Sequence, residues 1–336
     1  MIRPATSFNL SSVRIEAWQR IRGHARIFAF FVSILATNGG HAAEYFLFVS
    51  FRGNGEDGLH LALSTNGYQW QALNGDRAFL KPQVGADKIM RNPCLAEGPD
   101  GTFHLVWTSG GTAEKGKIIG YARSKDLVAW SQQQAIPLME NEPNTRNIWA
   151  PEISFNKSKA QWLVFWSSTI PGRYPESDST GDDGYNYRFY CVTPSDFKTF
   201  AESRLLYDPG FNAIDATLFQ AGDKFYLFFK GERKTPLKKE LRYAITDHAE
   251  GPFGKPSEPF TGHWVEGPSA IRIKDEYLVY FDHYAQPRYY GAVRSKDLEH
   301  LEDCSKEMSF PRGQRHGTVL RISDRIAKRL FNGTAI

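Results

Sequence analysis

Cysteine is scarce. Cys94, Cys191 and Cys304 stand alone among 336 residues, too few and too far apart for a disulfide scaffold or a zinc cluster. An excess of one charge is also missing from most of the chain. The formal net charge of +4 is carried by residues 1–43, where Arg3, Arg14, Arg20, Arg22 and Arg26 face only Glu16. The neutral remainder removes the electrostatic case for nucleic acid or an acidic membrane as partner. No apolar run is long enough for a membrane span in the mature chain. There is no Walker loop and no Gly-x-Ser-x-Gly elbow, which excludes nucleotide cradling and nucleophile-elbow chemistry.

What is present begins with an address. The arginines of 1–43 precede the short apolar run 27–36 and the small residues ending in His41-Ala42-Ala43. That run is too short to cross a bilayer but suits the apolar region of a signal peptide, so 1–43 is expected to direct secretion or periplasmic export. Aromatic residues make up 14% of the chain, which suits β-structure or sugar-stacking surfaces.

From Tyr45 onward one phrase recurs. A pair of strand-like runs ends in a small polar residue, an acid or Asn follows, and an aromatic or apolar residue comes shortly after. The pairs are 45–51 with 59–64, 103–109 with 118–124, 162–168 with 187–193, 225–230 with 241–246, and 277–283 with 289–295. The markers Asn66, Asp126, Asp196, Asp247 and Asp297 are 60, 70, 51 and 50 residues apart. Five such units predict an all-β, five-bladed β-propeller over 44–325. A two-sheet sandwich would not need the same hairpin five times. Residues 326–336 are expected to form a C-terminal tail.

A short motif precedes each later hairpin: Arg91-Asn92-Pro93-Cys94, Trp149-Ala150-Pro151-Glu152, Asn212-Ala213-Ile214-Asp215-Ala216 and Val265-Glu266-Gly267-Pro268. A fifth, Arg315-His316-Gly317-Thr318-Val319, has no hairpin after it. Its strand should therefore complete the blade begun at Tyr45 and close the ring without free edges. Asn92, Glu152, Asp215, Glu266 and His316 are spaced by 60, 63, 51 and 50 residues and are expected to converge on one pocket at the axis. Converging carboxylates can divide acid and base work when their surroundings push their pKa values apart.

These motifs, in this order and spacing, resemble glycoside hydrolase family 43 over nearly the whole body, about 45–322. The resemblance implies a five-bladed propeller that removes terminal arabinofuranosyl, galactosyl or xylosyl units from plant-type polysaccharides, with inversion. It implies Glu266 as general acid and Asp215 as the group that tunes it. The family's general base is an Asp in an Arg-Asp-Pro motif, and here that motif reads Arg91-Asn92-Pro93. An amide cannot take a proton from water. Three outcomes stay open: Glu152 or another acid replaces the base, the substrate assists its own hydrolysis, or the protein binds sugar without cleaving it. A protein-interaction propeller is a further alternative.

Trp107, Trp149 and Trp166 are candidates for stacking on a sugar face. Lys230, Asp282, His283 and Arg288 close hairpin strands and are candidate hydroxyl ligands, with Arg288 expected by similarity to pair with Asp215 or the substrate. The resemblance places His316 beside a central cation or an ordered water. No cofactor is required. A structural calcium is weighed at Asp178, Asp182 and Asp183 in the irregular segment 170–186, but EF-hand spacing is absent, and the segment reads as a solvated flap favouring attack on chain ends. An oligo- or polysaccharide is the expected partner, and a monomer the expected state.

Overall fold

The strand Tyr45–Phe51 explains the architecture in miniature, because it is buried along its whole length. Side chains alternate across a strand, so its two faces need two apolar neighbours. Tyr45, Leu47 and Val49 pack with Leu95, Phe103, Leu105 and Trp107 on one side. Phe46 and Phe48 pack with Ile271, Leu278 and Tyr280 on the other. The same division recurs at Phe165, whose partners include Phe229, and at Val164, whose partners include Val106. Phe228 faces Val279 and Phe281. Each apolar cluster is thus shared by two adjacent sheets, and the sheets close into a ring.

The computed structural model describes residues 44–111, 116–178 and 180–332. The expected signal segment 1–43 lies outside the described residues. Four sheets have four strands and one has three, the five-bladed propeller that the repeats predict. Blade 1 orders Arg315–Ile322, Tyr45–Phe51, His60–Ser64 and Gln71–Ala72. Blade 2 runs through Arg91–Glu97, Phe103–Thr108, Ile118–Ser124 and Gln134–Pro137, and blade 3 through Trp149–Asn156, Gln161–Thr169, Tyr187–Val192 and Arg204–Tyr207. Blade 4 has Ala213–Ala221, Lys224–Gly231 and Leu241–Thr246; blade 5 has Val265–Ile273, Glu276–His283, Tyr289–Ser295 and Glu302–Asp303. The last strand pairs antiparallel with the first, Tyr45 opposite Ile322 and Phe51 opposite Arg315. That pairing closes the ring as expected.

Residues expected to be a tail continue differently. The helix Asp324–Asn332, α1, inserts Ile326, Ala327 and Leu330 into the cluster between blades 1 and 2. Arg329 on the same helix reaches Asp126 at 3.2 Å.

The recurring marker is a turn device. Asp126 Oδ1 accepts the backbone N–H groups of Val128 and Ala129 at 3.0 and 2.8 Å, while Ser124 Oγ accepts that of Leu127 at 2.8 Å. Asn66 with Ser64, and Asp297 with Ser295, repeat the arrangement. A short oxygen-bearing side chain satisfies amides that the turn leaves without ladder partners.

Candidate active site

Every innermost strand carries a β-bulge near its start, and the bulges decide which side chains meet. Pairing shifts between Arg91 and Cys94, Trp149 and Glu152, Ile214 and Thr217, and Glu266 and Ser269. In the closing strand it shifts between Arg315 and Thr318. A bulge re-aims a side chain and bends its strand. Asn92, Ala150, Asp215 and Gly267 take the left-handed conformation at equivalent places, with φ of 49°, 48°, 56° and 60°. Gly267 is required twice over, since a Cβ there would lie 2.3 Å from His316 Cγ.

By this register the ring at the bulges is Asn92, Ala150, Asp215, Gly267 and His316. Glu266 stands one residue earlier, level with Arg91, Trp149, Ile214 and Arg315. Glu152 stands two residues later, level with Cys94, Thr217, Ser269 and Thr318, and its carboxyl accepts the Thr217 hydroxyl at 3.0 Å. The five motifs therefore do not present their marked residues in one layer. Similar spacing in sequence conceals the three-residue offset between Glu152 and Glu266, because WAPE and VEGP place their acids on opposite sides of the bulge.

Glu266 is gripped by cations. Arg315 Nη2 donates to Oε1 at 2.9 Å and Lys230 Nζ to Oε2 at 3.3 Å. Burial alone would raise its pKa, but Lys230, Arg315, His316 and Arg91 overcome that and hold it down at about 2. Asp215 is pushed up to about 7 by burial first and by the Glu266 charge second. Asp282, paired with Glu266 across the hairpin, rises to about 6 for the same two reasons in the same order. It accepts Arg315 Nε and the His316 backbone N–H, each at 3.4 Å. Glu152, fully enclosed, rises to about 8 through burial.

Lys230 is the hub of a longer ladder of alternating charge. It forms an ion pair with Glu232 at 2.6 Å and lies 4.6 Å from the Tyr284 ring centre. Glu232 also receives Lys239, which in turn holds Asp182 of the 170–186 segment at 2.6 Å. A continuous chain thus runs Asp182, Lys239, Glu232, Lys230, Glu266, Arg315, Asp282. Asn212 ties the same segment down, donating to the Tyr185 carbonyl at 3.0 Å and accepting the Tyr187 N–H at 2.8 Å.

Asn92 and His316 form a separate pair. The Asn92 amide donates from Nδ2 to His316 Nδ1 at 2.6 Å. Burial and the neighbouring cations drive the imidazole down to about 3, so it is neutral, and a ring accepting at Nδ1 carries its proton on Nε2. Asp215 Oδ2 lies 3.6 Å from the same Nδ1. This does not fit a central cation: an amide N–H occupies Nδ1, and Arg315, Lys230 and Arg91 surround the ring with positive charge. The calcium weighed in 170–186 meets a similar obstacle, because both Asp182 oxygens are taken by Lys239 and Lys234.

The remaining expectations divide. Trp149 is only partly buried and joins Tyr185 and Tyr187 in an aromatic group, with ring centres 4.9 and 6.0 Å away. Trp107 and Trp166 are fully buried and belong to blade packing, so neither faces a sugar. Arg288 does not pair with Asp215; its Nε donates to the Tyr284 carbonyl at 3.1 Å. The arginine at the carboxylates is Arg315, which the motif contained but its residue-by-residue reading passed over. His283 stacks on Tyr289 at 4.5 Å and donates to the Pro287 carbonyl, away from the Glu266 cluster.

The fold and site define a five-bladed propeller with acids from adjacent blades gathered on its axis. Residues 42–326 match the model of a family described as a probable glycosyl hydrolase domain, related to glycoside hydrolase family 43, and the chain belongs to that family. Among curated proteins it is 30% identical over 121 residues to an α-L-arabinofuranosidase of Bifidobacterium longum subsp. longum. That match covers 33% of this chain and spans only 11% of the relative's length. Among solved structures, the α-L-arabinanase of Cellvibrio cellulosa, complexed with arabinohexaose, aligns with a TM-score of 0.55 at 16% identity. The alignment covers 84% of this chain and 96% of the other, a likeness of fold. The Lactobacillus brevis α-L-arabinofuranosidase aligns with a TM-score of 0.49 at 18% identity, over 62% of this chain and 68% of that one.

Proposed function

We propose that the protein is an exported glycoside hydrolase that removes terminal arabinofuranosyl, galactosyl or xylosyl units from oligo- or polysaccharides with inversion. The observation that carries this reading is the electrostatic coupling of Asp215 to Glu266, two acids on neighbouring axial strands whose proton affinities are pushed apart. Such a pair titrates as a unit. Between the two pKa values the pair holds one proton, resting on Asp215 while Lys230 and Arg315 keep Glu266 charged, and near pH 7 that proton is about half lost. For Glu266, the donor suggested by family resemblance, to protonate the departing sugar oxygen, the proton held on Asp215 must first pass to it. That transfer requires substrate to weaken the grip of Lys230 and Arg315; Asp215 is then the modulator of Glu266.

An inverting reaction also needs a carboxylate to deprotonate water. Asn92 cannot do this, and Glu152 is protonated at neutral pH and lies a layer deeper. Asp282, on the second strand of blade 5 and paired with Glu266, is a neighbouring acid that ionises near pH 6, and we assign the base to it. A second reading, a sugar-binding protein without turnover, is favoured by the direct hydrogen bond between Asn92 and His316, which fills the usual base position with a neutral pair.

The test is hydrolysis of aryl α-L-arabinofuranoside, β-D-galactoside and β-D-xyloside by wild type and variants. Glu266→Gln should lower kcat by at least about 10²-fold, and most for poor leaving groups. Asp282→Asn should cost roughly 10²–10⁴-fold, with Asn92→Asp restoring part of the loss. A silent wild type combined with an active Asn92→Asp would establish the second reading instead.

A further inference from the structure

A cavity of about 1040 Å³ is lined by Asp282 and Arg315 of the site, by residues of blade 5, and by the connection from blade 5 to the closing strand of blade 1. Asp282 and Arg315 are the two residues that join it to Glu266. Its lining also includes Tyr289, Arg288, Arg312 and Gln314. Gln314 is 6% exposed, and neither its Oε1 nor its Nε2 has a hydrogen-bond partner. A buried amide with both polar atoms unpaired is costly unless something else satisfies it. Ordered water could do so in a small void, but this space is far larger than the roughly 30 Å³ of one water. It has the size of a ligand pocket.

We propose that this cavity is a second sugar subsite, taking the uncharged unit next to the terminal one, with Gln314 as its recognition residue. The inference rests on the carbohydrate reading above. A primary amide offers two donors and two acceptor lone pairs, which match neighbouring hydroxyls that each donate and accept. Tyr289, 41% exposed and stacked on His283, offers an aromatic face beside it. Position supplies the remaining argument. A unit held here lies against Arg315 and Asp282, one residue from the acids that would cleave its link to the terminal sugar. Gln314 immediately precedes Arg315, so the cavity's amide and the Glu266 clamp come from adjacent residues.

Calorimetric titration of the full chain with 1,5-α-L-arabinotriose, β-1,3-galactotriose and β-1,4-xylotriose, each against its monosaccharide, tests this. At least one trisaccharide should bind more than about 10-fold tighter than its monosaccharide. Gln314→Leu, which keeps the volume and removes the amide, should cut that advantage by roughly 5–30-fold, and Tyr289→Ala by a smaller factor. A general loss of structure would weaken both sugars together and leave the ratio unchanged, which overturns the proposal. So would a wild type with no trisaccharide preference. If the protein hydrolyses no aryl glycoside yet shows a Gln314-dependent preference, the subsite stands and the hydrolase reading falls; turnover without the preference gives the reverse.

Discussion

Arg315 shows how one side chain sets the state of an axial site. Its guanidinium donates to Glu266, Asp282 and the Gly53 carbonyl, and it lies 5.1 Å from the Phe51 ring centre. Such multiple contacts exploit the fixed fork of the guanidinium, which lysine lacks. Arg315→Gln should therefore raise the pKa of Glu266 from about 2 towards the ordinary carboxylate range. Carbon-13 NMR titration of labelled glutamate carboxyls would show the resonance moving at higher pH; an unmoved titration would mean Lys230 alone holds the charge. Glu266 stood out in the sequence because its motif shares an order and spacing with the other four. Its clamp did not, because Arg315 and Lys230 come from different blades, and only strand register makes them neighbours.

At the scale of elements, two devices repeat around the ring and they have different roles. The hairpin turn with its oxygen acceptor is local, so its spacing revealed five units directly. Asp126→Ala removes the acceptor for two backbone amides and the contact to Arg329 of α1. It should cost about 1–2 kcal/mol, read as a lower urea midpoint with unchanged slope. A loss below about 0.3 kcal/mol would show that water replaces the side chain. The axial bulge is the second device, and it escaped sequence spacing. It advances the pairing by one residue, so acids at matching intervals land in different layers. Trp107 and Trp166 were misplaced for a related reason: alternation marks two faces of a strand, but both faces of a propeller strand are buried between blades.

At the scale of the molecule, ring closure creates a narrow axis in which carboxylates lose water. Glu152 is the extreme case, with its pKa raised to about 8 from the model-compound value of 4.5. A raised carboxyl means the folded protein binds more protons than the unfolded chain between these pH values. Stability should therefore fall as pH rises from about 4.5 through 8. Glu152→Gln removes that burden while keeping the shape. Its melting temperature should match wild type near pH 4.5 and exceed it near pH 8, by an amount on the order of a few kcal/mol in stability. Equal pH dependence in the two proteins would mean that Glu152 reaches solvent. The helix α1 adds a seal at the rim of the same ring, burying Leu330 in the blade 1–2 cluster. Nothing in its nine residues distinguishes it from a polar tail except four apolar positions, Ile326, Ala327, Leu330 and Phe331, which pack on one cluster.

The amino-acid sequence by itself determined the number of blades, their order, and the strand that closes them. Those features follow from local turn chemistry and period-2 alternation, which act within a few residues. It also raised, by resemblance, the expectation that Asn92 stands where the family has a base, since a motif is read in place. Tertiary structure alone decided which acids share a layer, which cations hold Glu266, and where the large cavity opens. These depend on bulges and on contacts between blades, where residues more than 30 positions apart, such as Lys230 and Glu266, approach within 3.3 Å. Desolvation and charge pairing act through space, and only the closed ring establishes those distances.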